Sequence, residues 1–404
     1  MSSLFDAVEM APRDPILGLN EQYLADANPA KVNLGVGVYL DENGKLPLLR
    51  CIRAAEEMMM ESPSARGYLP IDGIAAYDAA TQALVFGADS SARKEGRITT
   101  VQAVGGTGGL KVGADLLKRM TPDARVLISD PSWENHRALF EGAGFEVGTY
   151  AYYDPGRQGV DFAAMRASLA AAAPGTIVVL HACCHNPTGC DLGPAQWSEV
   201  VELLRARSLV PFLDMAYQGF GEGLAEDGRA VRLCLDAGLD FFVATSYSKS
   251  FSLYGERVGA LSVACSSKDA ATRVLSQLKR VIRTNYSNPP THGAAAITKV
   301  LSTPALRAMW EEELAGMRER IKRMRLELQR RLVVAGAAID TDFITRQRGM
   351  FSYSGLKKSQ MERLRSEFGI YGLDSGRICV AALNERNLDA VVDAISQVTE
   401  KAPA

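Results

Sequence analysis

No apolar run in this chain approaches the roughly 20 residues that a bilayer crossing needs. The opening residues, MSSLFDAVEMAPRD, put acidic side chains where a secretory leader would have a basic and then an apolar stretch. Together these features predict a cytoplasmic protein with no membrane partner. Charge of one sign is also scarce. With 45 basic and 47 acidic residues the formal net charge is -2, which supplies no field to draw nucleic acid. The seven cysteines are odd in number, scattered and free of any C-x-x-C spacing, which suits reduced thiols better than a disulfide framework. Low-complexity tracts and repeats are absent. What remains is a chain of 404 residues, 47% hydrophobic and 23% charged, whose length predicts more than one globular domain. Its expected partners are small molecules and copies of itself.

From about Leu48 to about Leu301, short β-branched runs alternate with Ala- and Leu-rich helical stretches. Five runs stand out: VLIS from Val126, TIVVL from Thr176, LVPFL from Leu209, FFVAT from Phe241 and VGALSV from Val258. Their lack of polar alternation is what a parallel sheet covered on both faces requires, so the class is α/β. A charged stretch from Met309 to about Val334 then spaces apolar residues as a helix does. Its basic cluster, Arg318 to Arg331, is interspersed with Glu and reads as a solvated amphipathic face rather than a nucleic-acid surface. After it, GMFSY from Gly349 and ICVAA from Ile378 read as strands, with helices around 357–368 and 387–399, which makes a small α+β unit.

Ligands of open α/β sheets collect beyond the carboxyl ends of the strands, so the polar residues that follow these runs are the candidates. Gly105 to Gly109 (GGTGG) opens a helical pattern and offers unhindered amides and a Thr hydroxyl to an anion. It matches neither the dinucleotide fingerprint nor a P-loop. Asp214 ends one run, with Tyr217 three residues on; an Asp there could merely cap a helix, or could hold a pyridine nitrogen protonated. Lys249 directly follows another run among small hydroxyl residues, where a desolvated amine loses its proton more readily and can form an imine. Ser246 and Arg257 flank it with the groups a phosphate monoester pairs with. Asn186, in His185 to Gly189 (HNPTG), is either a plain turn residue or a donor to a phenolic oxygen. Neighbouring Cys183, Cys184 and Cys190 do not make a zinc site, because adjacent cysteines are poor chelators of one tetrahedral ion and no second ligand pair follows.

Taken in order, these motifs resemble the class I pyridoxal-phosphate aminotransferases, most closely the aspartate and aromatic-amino-acid branch. The resemblance spans nearly the whole chain: NLGVGVY from Asn33, YLPIDG from Tyr68, GGTG from Gly105, SWENH from Ser132, CHNPTG from Cys184, DMAYQGF from Asp214, SYSK from Ser246, LYGERVG from Leu253, RTNYSNPP from Arg283 and SGR from Ser375. Segments such as WENH at Trp133 and RGMFSYSGL at Arg348 look most like bacterial aromatic-amino-acid enzymes. Two positions depart from the pattern, Ala382 where Gly is expected and Gly109 where Ala is frequent.

The resemblance implies a fold type I transferase: a large domain (46–312) with a mainly parallel seven-stranded sheet, a small α+β domain (13–45 and 313–404), and an N-terminal arm (1–12) that contacts a second subunit. It implies pyridoxal 5'-phosphate carried as an imine on Lys249, which then moves the substrate's α-proton. Asp214 would pair with the pyridinium nitrogen with His136 behind it, Asn186 and Tyr217 would reach the phenolic oxygen, and Trp133 would stack on the ring. Gly106, Thr107, Ser246 and Arg257 would hold the phosphate, joined by Tyr68 from the other subunit of a homodimer. Arg377 would grip the α-carboxylate, helped by Asn186, Trp133 and the backbone at Gly37, and Arg283 of the second subunit would take a distal carboxylate. A lyase or decarboxylase would use the same Lys and Asp, but two substrate-facing arginines argue for transamination between aromatic amino acids or aspartate and 2-oxoglutarate.

Overall fold

The computed structural model describes residues 3–400. The first two residues of the expected arm and the last four of the chain lie outside the described residues. Seven strands form one sheet: β1 (Ile98–Val104), β2 (Arg125–Asp130), β3 (Glu146–Ala151), β4 (Ile177–His181), β5 (Val210–Met215), β6 (Phe241–Ser246) and β7 (Val258–Ala264). Their spatial order is β1-β7-β6-β5-β4-β2-β3. The pairs from β6 through β3 are parallel, while β7 runs antiparallel to both of its neighbours. The run VGALSV is therefore a strand as expected but of opposite direction, because burial on two faces, not direction, sets an apolar composition.

Alternate residues of these strands feed two separate cores. Val178, Leu180, Leu213, Met215 and Val243 pack into one apolar cluster, and Ile177, Val179, Phe212, Phe242 and Ala244 into the other. The second is covered by α1 (Gly105–Met120), whose Leu110, Val112, Ala114, Leu116 and Leu117 are all buried. Gly109 of α1 lies so close to β7 that a Cβ would sit 2.9 Å from the Ala260 carbonyl oxygen, so the departure from Ala matches a tight helix-to-sheet contact.

The long helix α2 (Pro304–Val334) starts five residues before the expected Met309, with Pro304 in its first turn, where a fixed φ and a missing N–H cost nothing. Trp310, Leu314, Met317, Ile321, Met324, Leu328 and Leu332 form its buried stripe. Its basic cluster corrects the expectation of a solvated face, because Arg320 and Arg325 are buried. Arg325 donates to the carbonyls of Ile344, Gly349 and Phe351, and Arg320 to that of Leu383, so both tie α2 to the backbone of the C-terminal elements. Beyond α2, Phe351–Tyr353 pairs antiparallel with Arg377–Cys379, and Val32–Asn33 pairs parallel with Ile370–Tyr371, so the early chain joins the C-terminal elements. No described helix is long and apolar enough to cross a membrane. All seven cysteines are buried and unpaired.

Candidate active site

The carboxyl ends of β4, β5 and β6 and the amino end of α1 converge on one group of polar side chains. Lys249, in the turn after β6, places its Nζ 5.1 Å over the Tyr217 ring. Burial lowers its amine from the ordinary 10.5 to about 8; Asp214 opposes that shift and the cations Arg257 and Arg377 add to it. Asp214, the fifth residue of β5, does not cap a helix. Its Oδ2 lies 2.8 Å from His136 Nε2, and His136 Nδ1 lies 2.9 Å from Ser132 Oγ. Burial pushes the Asp214 carboxyl up, but the hydrogen bond from His136 and the charges of His136, His181 and Lys249 outweigh it and hold the group below the usual carboxylate range. Trp133 meets the His136 ring edge to face at 5.3 Å.

The anion cradle forms where α1 begins. In the first turn of α1 the amides of Gly106 and Thr107 precede the first intrahelical bond and have no acceptor within the helix. Gly105 has φ +70°, and a Cβ there would come 2.5 Å from Arg257 Nη2, so the position needs glycine both for its backbone and for its space. The Gly105 amide donates to the Arg257 carbonyl at 2.9 Å, which ties the cradle to the turn that carries the guanidinium. Arg257 Nη1 donates to Tyr254 O (2.9 Å) and Ser248 Oγ (3.3 Å), and Ser246 lines the same corner beside Gly106.

Arg377 is the other cation, and it is 1% exposed. Nη1 donates to Asn186 Oδ1 (3.1 Å) and Nη2 to Gly35 O (2.6 Å), while Nε has no partner. Its guanidinium lies 4.2 Å over the Phe351 ring, and a Cβ on Gly37 would meet that same ring at 2.6 Å, so Gly37 permits the packing that seats the arginine. Among the described residues no carboxylate pairs with Arg377 or with Arg257. A buried guanidinium without a counter-ion is costly unless a ligand supplies one. Two unpaired cations, one at an amide cradle and one beside Asn186, fit a phosphate and a carboxylate.

Of the predicted site residues, Tyr68 and Arg283 stand outside this group. Tyr68 is 95% exposed, and the recorded side-chain partner of Arg283 is Ser287 one turn on. Sequence reasoning missed what braces the Asn186 turn. The half-buried Asp191 accepts from Cys184 N (2.7 Å) and His185 N (2.8 Å), and the His185 ring spans Ser129 and Thr188 while stacked on Tyr152. An acidic residue five positions past Asn186 in an apolar stretch was the available signal. Cys183, Cys184 and Asp227 do converge, but the Asp227 carboxylate already accepts amides from Gly219, Gly221 and Glu222.

A mainly parallel sheet with a half-buried lysine, a carboxylate and an anion cradle at its carboxyl edge is the arrangement of a cofactor-dependent transferase. The model of the family described as aminotransferase class I and II matches residues 29–395, and the chain belongs to that family. Within it, the relatives are aspartate and aromatic-amino-acid enzymes. The chain is 61% identical to an aspartate aminotransferase of Pseudomonas aeruginosa over 98% of its own length and all of the relative's. It is 49% identical to the aromatic-amino-acid aminotransferase of Escherichia coli over the same shares. A crystal structure of an aromatic-amino-acid aminotransferase from Burkholderia pseudomallei, covalently bound to pyridoxal phosphate, superposes with a TM-score of 0.96 at 64% identity, over 99% of this chain and 100% of that one. The protein is thus an aminotransferase of the aspartate and aromatic-amino-acid branch.

Proposed function

We propose that this enzyme transfers amino groups from both aromatic amino acids and aspartate to 2-oxoglutarate, with pyridoxal phosphate attached at Lys249. The observation that carries this reading is the placement of the half-buried Lys249 amine over the Tyr217 ring, among the Asp214 carboxylate and the unpaired cations Arg257 and Arg377, with burial lowering it to about 8. When bound, pyridoxal phosphate supplies an aldehyde that takes up the amino group and a ring that accepts the electrons of the broken Cα–H bond. Gly106, Thr107, Ser246 and Arg257 hold the phosphate. Asp214, kept ionised with His136 behind it, keeps the ring nitrogen protonated, and Asn186 and Tyr217 donate to the phenolic oxygen. Arg377 fixes the substrate's α-carboxylate, aided by Trp133 and the Gly37 backbone, which orients the Cα–H bond for Lys249 to take its proton. Ping-pong kinetics follow, because the amino group leaves on the enzyme before the second acid binds.

A homodimer completes the reading. Tyr68 and Arg283 lie apart from the site of their own chain, and the exposed Leu4, Phe5, Val8 and Met10 of the arm offer apolar surface to a second copy. We assign residues 46–312 to a large domain, and 13–45 with 313–404 to a small one. The cytoplasm, where seven buried thiols stay reduced, is the proposed compartment. The 61% identity to an aspartate aminotransferase favours one narrower alternative, turnover of dicarboxylates alone. Side-by-side assays of tyrosine, phenylalanine and aspartate with 2-oxoglutarate decide between them. Arg377→Ala should weaken all three substrates, and Arg283→Ala should weaken aspartate about a hundredfold while sparing phenylalanine, since a charged contact is lost for one only. Equal losses in the Arg283 variant, or no turnover of the aromatic substrates by the wild type, overturn the dual reading.

A further inference from the structure

The phosphate cradle and the substrate arginine belong to different parts of the fold, and a short chain of hydrogen bonds joins them. Residues 34–40 are stitched to the strand that carries Arg377 and the turn after it: Cys379 N donates to Leu34 O (2.8 Å), Leu40 N to Ala381 O (3.0 Å), and Arg377 itself to Gly35 O. On the other side, the turn at Tyr254–Glu256 presents Arg257 in a left-handed conformation, φ +54°, to the opening of α1. Tyr254 touches both halves. Its carbonyl accepts from Arg257 Nη1 at 2.9 Å, and its hydroxyl oxygen accepts the Tyr39 backbone N–H at 2.9 Å.

We propose that Tyr254 is a positioning residue that couples occupancy of the phosphate site to the substrate-carboxylate site, through its carbonyl on Arg257 and its hydroxyl on the Tyr39 amide. The inference rests on the assignment of Arg257 to the phosphate and Arg377 to the carboxylate. A phosphate that draws the Arg257 guanidinium into one place also fixes the turn that bears Tyr254. Residues 35–39, which supply the Gly35 carbonyl to Arg377 and the Gly37 contact to Phe351, are then held in the substrate-ready position. Without the phenol the loop keeps its bonds to 377–381 but loses its tie to the cofactor side.

The test is Tyr254→Phe, which keeps the ring and removes only the oxygen, measured as holoenzyme in single turnovers with aspartate and with phenylalanine. Loss of one hydrogen bond predicts an apparent dissociation constant raised about 5-fold for both amino acids, with the limiting rate within about 2-fold of wild type. Coupling is reciprocal, so succinate, which has no amino group to transfer, should tighten cofactor binding less in the variant by a similar factor. A purely structural role would move the thermal midpoint and not this linkage. Unchanged substrate affinity, or undiminished succinate linkage, in Tyr254→Phe overturns the proposal. Arg257→Ala and Arg377→Ala run alongside separate the two layers. If the first retains cofactor normally or the second binds amino acids normally, the site assignment fails and this inference with it; if both weaken and Tyr254→Phe does not, this inference alone fails.

Discussion

Lys249 sits among charges of both signs, and its burial decides the balance. An amine lowered to about 8 is mostly protonated at pH 7 and mostly neutral at pH 9, and only the neutral form can attack an aldehyde. Reconstitution of the cofactor-free protein with pyridoxal phosphate, followed by absorbance, should therefore accelerate as pH rises through 8, by up to about tenfold per unit below that point, and level off above it. A rate that keeps rising to the ordinary lysine value of 10.5 would show that the amine is solvated. Asp214 was ambiguous in the sequence, because a strand-end Asp caps helices as readily as it binds a ligand; its contact with His136, 78 positions away in the chain, resolves the ambiguity. Motif order pointed to the proposed site residues, but not to the groups that brace them. Asp191 and the Tyr254 hydroxyl accept backbone amides, so the sequence shows each only as a lone acidic or phenolic residue with no side-chain partner to pair it with.

At the scale of elements, the central strands were legible and the edges were not. β4, β5, β6 and β2 are apolar runs because helices cover both their faces. β1 (ITTVQAV) and β3 (EVGTYA) form the two edges of the sheet and carry polar residues, so an apolar-run criterion passes over them. Buried Thr100 and Gln102 in β1 are paired with Ser262 Oγ and Pro290 O, which is what lets polar side chains occupy a strand interior. The arginines of α2 were misread for a related reason: Glu and Arg in helical spacing look solvated until tertiary contacts are known. Arg325 holds the Phe351 carbonyl and so steadies the ring beneath Arg377. Arg325→Met should lower stability by about 2 kcal/mol, three carbonyls losing a charged donor while a buried charge is relieved, and should raise KM for every amino acid. Calorimetry and steady-state kinetics check this; a variant that melts with the wild type and keeps its KM contradicts the role.

The molecule as a whole is proposed to work as a pair of chains, since Tyr68 and Arg283 serve no site in their own. Mixed dimers test this directly. Chains bearing Lys249→Ala and chains bearing Arg283→Ala should each be poor with aspartate, yet refolding them together should restore about a quarter of wild-type turnover, because half the dimers are mixed and one of their two sites draws both intact residues. No recovery would place Arg283 outside the site. The central claim, that Lys249 carries the cofactor, is tested most directly by reducing the pyridoxal-phosphate-loaded protein with borohydride and mapping the tagged peptide by mass spectrometry. The account predicts a bleached protein with the label on Lys249 and none in Lys249→Ala; a label on another lysine, or none in the wild type, would contradict it.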